Sequence, residues 1–213
     1  LYLLFISFFF DPYEEDLGDI ASVIPREVDY FVRWKGAGER FDEFPMPAFW
    51  SDLESSKVWK EMQESGSDVG WDESLGVSEV FKELESVHQL IPSELSLESD
   101  LLREVVIAGH GELGLNADFN GVLMLRVSFK VKAGVALLNF DFVRDKLPAS
   151  LGIESLGGDR YRIPQFGPFG MQDAYLSRIN DVVLLASRPE WIDTAKQLNN
   201  QGGTDSLALA SQF

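Results

Sequence analysis

Apolar and polar positions divide the chain into contrasting stretches. Residues 1–10 read LYLLFISFFF without a charge, and Asp11, Glu14, Glu15, Asp16 and Asp19 follow at once. Ten helical residues span about 15 Å, half of a hydrocarbon core of roughly 30 Å. The run cannot cross a bilayer alone, and position 1 is Leu rather than Met. We therefore expect an upstream stretch that completes a membrane helix ending at Phe10. A signal peptide would place small residues before its cleavage site, and Ser7-Phe8-Phe9-Phe10 does not. The alternative is a strand or helix buried in the core. No Lys or Arg precedes Arg26. Cytoplasmic flanks of membrane helices are enriched in both, so this flank reads as the translocated side.

Residues 11–24 read as an acidic linker. Beyond Pro25, Val28, Tyr30, Val32 and Trp34 alternate with Glu27, Asp29 and Arg33. This is the period-2 pattern of a half-buried strand, with Phe31 covering its second face. Gly36 and Gly38 end it. Pro45 and Pro47 mark an extended or turning segment. A helix through Trp59 and Met62 follows, capped by Ser51 with Glu54, or by Ser55 or Ser56. Residues 66–76 form a polar loop. The clearest helix is 77–91, where Val77, Val80, Phe81, Leu84, Val87, His88 and Ile91 fall on one stripe before Pro92.

A helical turn at Asp100, Leu101 and Leu102 leads into a strand over 104–108. A second strand, 122–131, follows the turn Asn120-Gly121. Residues 133–147 predict a helix with Val135, Leu138, Phe142 and Leu147 inward, ended by Pro148. Gly157-Gly158-Asp159 joins strands 153–156 and 160–163, and Asn180-Asp181 joins 174–179 to 182–186, two hairpin signals. Pro189 opens a helix carrying Trp191, Ala195 and Leu198. Residues 199–204 form a polar loop. The predicted fold is α+β: an antiparallel β-sheet built from hairpins with amphipathic helices packed on it, preceded by a truncated membrane helix. The division is 1–10 anchor end, 11–24 linker, 25–199 α+β domain, and 200–213 linker with the start of a possible second unit.

With 213 residues and 45% apolar content, the chain is long enough to bury a core in one domain, or in one large domain plus a fragment. Its net charge of -17 repels nucleic-acid phosphates and anionic headgroups, so no nucleic-acid partner is expected. The chain has no cysteine, which excludes disulfides, thiol catalysis and cysteine-ligated metal sites.

No catalytic motif stands out. Gly109, Gly111 and Gly114 match G-x-G-x-x-G after a strand. Asn116, Asp118, Asn120 and Gly121 then give turn composition and a further strand, so the expected reading is a glycine-rich bend rather than a dinucleotide site. His88 lies on the apolar helix stripe. His110 with Glu112 places two potential metal ligands on one side of a strand, and a third would come from a scattered carboxylate. Ser187, in Leu185-Ala186-Ser187-Arg188-Pro189, is not in a nucleophile elbow. Carboxylate pairs able to serve glycoside hydrolysis are inevitable among 35 acidic residues and select nothing. The spacing over 11–19 is not that of a calcium-binding EF-hand loop. Trp and Phe sit mostly at periodic core positions.

Four segments together resemble a family of uncharacterised bacterial proteins, membrane-anchored and extracytoplasmic, that carry a domain of unknown function. They are Ile24-Pro25-Arg26-Glu27-Val28-Asp29-Tyr30-Phe31-Val32, Leu53-Glu54-Ser55-Ser56-Lys57-Val58-Trp59, Asp100-Leu101-Leu102-Arg103-Glu104-Val105-Val106-Ile107-Ala108, and Asn180-Asp181-Val182-Val183-Leu184-Leu185-Ala186-Ser187-Arg188-Pro189-Glu190. The resemblance covers most of residues 24–199. It implies an N-terminal anchor, and often a second similar unit, whose Leu-x-x-Ser-x-x-Trp segment Leu207-Ala208-Leu209-Ala210-Ser211-Gln212-Phe213 resembles. It supplies no activity, no catalytic residue and no cofactor. The expected function is a non-enzymatic binding or scaffolding domain in the cell envelope. Its expected partners are the membrane, through the anchor, and an unidentified protein. The alternative is an extracytoplasmic hydrolase using carboxylates or a metal near His110 and Glu112.

Overall fold

The structure is a computed structural model and describes residues 14–36, 57, 60, 100–111, 119–147, 152–166 and 171–210. Among these, seven strands form one antiparallel sheet: β1 (Tyr30–Lys35), β2 (Glu104–His110), β3 (Asn120–Arg126), β4 (Glu154–Ser155), β5 (Arg160–Pro164), β6 (Asp173–Ile179) and β7 (Val182–Ala186). Their spatial order is β1-β2-β3-β7-β6-β5-β4. Helices α1 (Phe129–Leu137), α2 (Asp141–Arg144), α3 (Pro189–Asn200) and α4 (Leu207–Ala210) follow or separate them, and a 3-10 turn, Ile20–Val23, precedes β1. This is the expected α+β architecture of hairpin-built sheet and packed helices. The predicted helices of 51–62 and 77–91 lie outside the described residues, apart from Lys57 and Lys60, which are helical and exposed.

Strand register decides what each face carries. Ala108 pairs with Val122 and Phe31, Val106 with Met124, and Met124 with Leu184. That face is the main core. It packs against Trp191, Ile192 and Ala195 of α3 and against Leu17, Ile20, Val23 and Ile24. The opposite face carries smaller clusters. Val131 and Val135 of α1 lie on Val183, Leu125 and Leu176. Ile163, Met171 and Ala174 pack with Ile153 and Phe166. Leu102 packs with Trp34 and Val105.

Several expectations change. Residues 14–24 are not a solvated linker. Leu17, Ile20 and Val23 recur every three residues, and the segment lies on the core face. Asp19 caps the 3-10 turn by accepting from the Ala21 N–H. Glu14 finds cations too, pairing with Lys132 and Arg178, while Glu15 and Asp16 are exposed. At the other end, residues 200–210 do not leave the domain. Pro25 bridges to Ser206, the Leu207 N–H donates to the Ile24 carbonyl, and Leu207 packs on the core.

In β1 the faces are the reverse of the expectation: Phe31 faces the main core and Val32 is 47% exposed. Strand β3 ends at Arg126, and α1 begins at Phe129 rather than continuing the strand to Val131. The alternation of Val127, Phe129 and Val131 reads as strand. Val131 and Val135 also stand four apart, and burial of that pair on the sheet wins over local pattern. The single helix expected over 133–147 breaks at Phe140, which is extended. Asn139 there accepts from the Tyr161 hydroxyl at 2.8 Å, and Phe142 is exposed. Among the described residues no helix is long and apolar enough to cross a membrane; the anchor expected at 1–10 lies outside them.

Candidate functional site

Strands β2 and β3 carry polar residues at both ends of the core face. At one end Glu104 opposes Arg126, and at the other His110 opposes Asn120.

The Glu104 end is a closed ionic network. Arg126 reaches Glu104 at 2.8 Å and Asp181 at 2.6 Å. It also donates to the carbonyls of Leu17 and Gly18. Asp181 accepts from the Leu17 N–H at 2.7 Å. Arg33 joins Glu104 to Asp19. Burial alone would lower the Arg126 pKa; the hydrogen bonds it donates to Glu104 and Asp181 outweigh it and hold the guanidinium above its usual range. Every charge here has partners, and together they fasten residues 14–24 to the sheet.

The His110 end opens into a cleft of about 300 Å³ lined by Pro25, His110, Asn120, Arg188, Glu190, Trp191 and Thr194. Each wall has a local cause. The Ser187 N–H donates to the Gly121 carbonyl, and the Gly121 N–H donates to the Ser187 hydroxyl, both at 3.0 Å. This clamp places the first turns of α3 beside the start of β3. On α3, Glu190 and Thr194 are four apart and share one side, with Trp191 beneath. The Trp191 indole is 7% exposed and donates to Asn120 Oδ1 at 3.3 Å. The His110 ring lies against it, centroids 5.3 Å apart, with its side chain 44% exposed.

Asp29 Oδ2 sits 3.5 Å from His110 Nδ1, beyond ordinary hydrogen-bond distance, and accepts the Gly111 N–H at 2.8 Å. The pair orients the β2 terminus more than it activates the imidazole. Among the described residues no three His, Asp or Glu side chains are grouped to hold a metal ion. The other expected ligand, Glu112, lies outside the described residues, as do His88 and Gly114.

Gly109, the first glycine of the G-x-G-x-x-G match, has a packing reason within the sheet. A Cβ at Gly109 would lie 2.1 Å from the Tyr30 hydroxyl and 2.5 Å from the Asn120 carbonyl. A Cβ at Gly121, paired opposite, would lie 2.4 Å from the Ala108 carbonyl. The two residues let the Tyr30 ring lie flat across the strands. The Tyr30 hydroxyl is buried there without a hydrogen bond, and burial, then the Asp29 charge, raises its pKa.

The sequence singled out His110 but not its neighbours in the cleft. Asn120 read only as a turn residue and Trp191 only as core. Arg188, Glu190 and Thr194 carried one available signal, the polar side of an amphipathic helix. What they face depends on pairings over 60 residues away in sequence, as between Gly121 and Ser187. In chemical terms the cleft offers hydrogen-bond donors and acceptors on rigid elements. Among the described residues the Asn120 amide nitrogen, Arg188, Glu190 and the Thr194 hydroxyl make no side-chain hydrogen bond or ion pair. No family model, no curated protein and no solved structure matches the chain.

Proposed function

We propose that this chain is a membrane-anchored envelope protein whose acidic α+β domain, outside the cytoplasm, serves as a non-enzymatic binding or scaffolding module. The cleft carries the binding half of the reading: four polar side chains, with hydrogen-bonding groups unengaged among the described residues, converge on it, held by strand pairing and by a clamped helix start. Polar groups fixed on helices and strands in this way keep a ligand-ready geometry.

The anchor half rests on the uncharged residues 1–10 and the acidic flank without Lys or Arg before Arg26. If the membrane segment ends at Phe10, only residues 11–13 separate it from Glu14, which is held by Lys132 and Arg178. At roughly 3.3–3.6 Å per residue, such a tether keeps the domain at the bilayer surface. Fractionation of cells carrying the full-length protein, with protease added to spheroplasts, tests this. We expect recovery with membranes and loss of the domain to protease. Recovery in the soluble cytoplasmic fraction, protected from protease, would show the anchor reading to be wrong.

A further inference from the structure

We propose that the cleft between the His110–Asn120 end of the sheet and α3 binds a neutral carbohydrate, a mono- or disaccharide unit at a time. This rests on the binding reading of the cleft and is independent of the anchor.

Charge argues first. Arg188 and Glu190 contribute one charge of each sign, and no ion pair joins them. A full negative charge on the ligand would meet Glu190, with Asp29 beside His110, in a chain of net charge -17. A full positive charge would meet Arg188. A neutral molecule avoids both penalties.

Hydrogen-bonding type argues second. Arg188 and the Asn120 amide nitrogen only donate, Glu190 only accepts, and Thr194 does both. Hydroxyl groups, which donate and accept at once, satisfy such a mixture. The half-exposed His110 ring, backed by the Trp191 indole in a lining that also includes Pro25, supplies a flat aromatic surface for the C–H face of a sugar ring. A volume of about 300 Å³ lies at the small end of ligand clefts and suits a unit of this size.

A peptide fits less well. Peptides commonly bind by adding main-chain hydrogen bonds to a strand edge. Here the strand main chain bordering the cleft is already engaged. His110 and Asn120 pair with each other, Gly121 is held by Ser187, and the Gly109 carbonyl accepts the Asp29 N–H.

The test is a saturation-transfer NMR titration of the full-length protein in detergent. The probes are maltotriose, cellotriose and chitotriose, with a galacturonate trimer and a capped neutral tetrapeptide as controls. We expect at least one neutral trisaccharide to bind, with affinity reduced about tenfold or more in Glu190→Ala and in Arg188→Ala, as for loss of a charged hydrogen-bond partner. Glu190→Gln should recover part of the loss. Near-UV circular dichroism unchanged from the native protein shows that each variant is folded. Sugar binding unaffected by both alanine variants would overturn the proposed site. Binding of only the galacturonate trimer would overturn the neutrality of the ligand, and binding of only the tetrapeptide would overturn the carbohydrate class; either one, sensitive to Arg188→Ala, would leave the binding reading standing. No binding by any probe would overturn the carbohydrate proposal, whereas the anchor reading stands or falls on fractionation alone.

Discussion

The two ends of the β2–β3 pair carry polar residues on the same face of the same strands, yet they differ in what those residues do. At the Glu104–Arg126 end every charged group is paired, and the Leu17 main chain is drawn into the network. At the His110–Asn120 end, Asn120 holds Trp191 through one atom only, and Arg188, Glu190 and Thr194 border open space. A polar residue on a core face is therefore not by itself a functional signal. What distinguishes the ends is whether the surrounding fold satisfies it. A closed network with an inward-packed segment reads as structure, and the groups left unengaged among the described residues, held on a rigid frame, are what the proposed binding role rests on.

The largest effect is expected where that contrast is sharpest. Asp181→Ala removes a partner of the Arg126 guanidinium and the acceptor of the Leu17 N–H. Breaking a buried pair by removing one partner costs about 3–5 kcal/mol. Urea denaturation should report a loss of that size, and a loss under about 1 kcal/mol would show the network to be dispensable.

Next in size is Gly121→Ala. Its Cβ meets the Ala108 carbonyl at 2.4 Å, so the strands must separate, at about 1–3 kcal/mol by analogy with overpacking. The substitution loosens the cleft end through the backbone rather than through its polar side chains. A thermal midpoint equal to the native one would mean that the sheet is more pliable there than its geometry implies.

Tyr161 gives a smaller, pH-dependent effect at neither end. Burial, then the Asp159 charge, pushes its hydroxyl from 10.0 up to about 12. The fold disfavours the phenolate, so this stabilisation is fully present below pH 10 and fades as pH rises toward 12. Stability against pH in this window should fall more steeply for the native protein than for Tyr161→Phe. Parallel curves would assign the alkaline loss to other groups. The smallest effect belongs to the cleft: Glu190→Ala and Thr194→Val should each change stability by no more than about 0.5 kcal/mol.

Where turn chemistry is local, the fold was legible in advance. Gly157-Gly158-Asp159 and Asn180-Asp181 mark hairpins that the structure forms, with Asp159 at φ 56° and Asn180 at φ 51°. Pro189 marks the start of α3 for the same reason. Legibility fails where two patterns coexist. Residues 14–24 combine acidic composition with apolar spacing, and the spacing proves decisive because Arg33, Lys132 and Arg178 pair with Asp19 and Glu14 while Glu15 and Asp16 stay exposed. In β1 the alternation points to the side of Tyr30, Val32 and Trp34, whereas the main core takes the side of Phe31, whose neighbour Arg33 is neutralised by Asp19 and Glu104. His110 was visible as a rare residue after a strand. Its neighbours Arg188, Glu190 and Thr194 were not, because long-range pairing brings α3 beside it.

The difference between the two ends is tested most directly by Arg126→Ala and Arg188→Ala in parallel urea denaturation. Both remove a guanidinium, one from the closed network and one from the cleft. We expect Arg126→Ala to lower the unfolding free energy by about 3–5 kcal/mol, and Arg188→Ala to leave it within about 0.5 kcal/mol at an unchanged slope. Losses of similar size in both variants would contradict the division into a structural end and a recognition end.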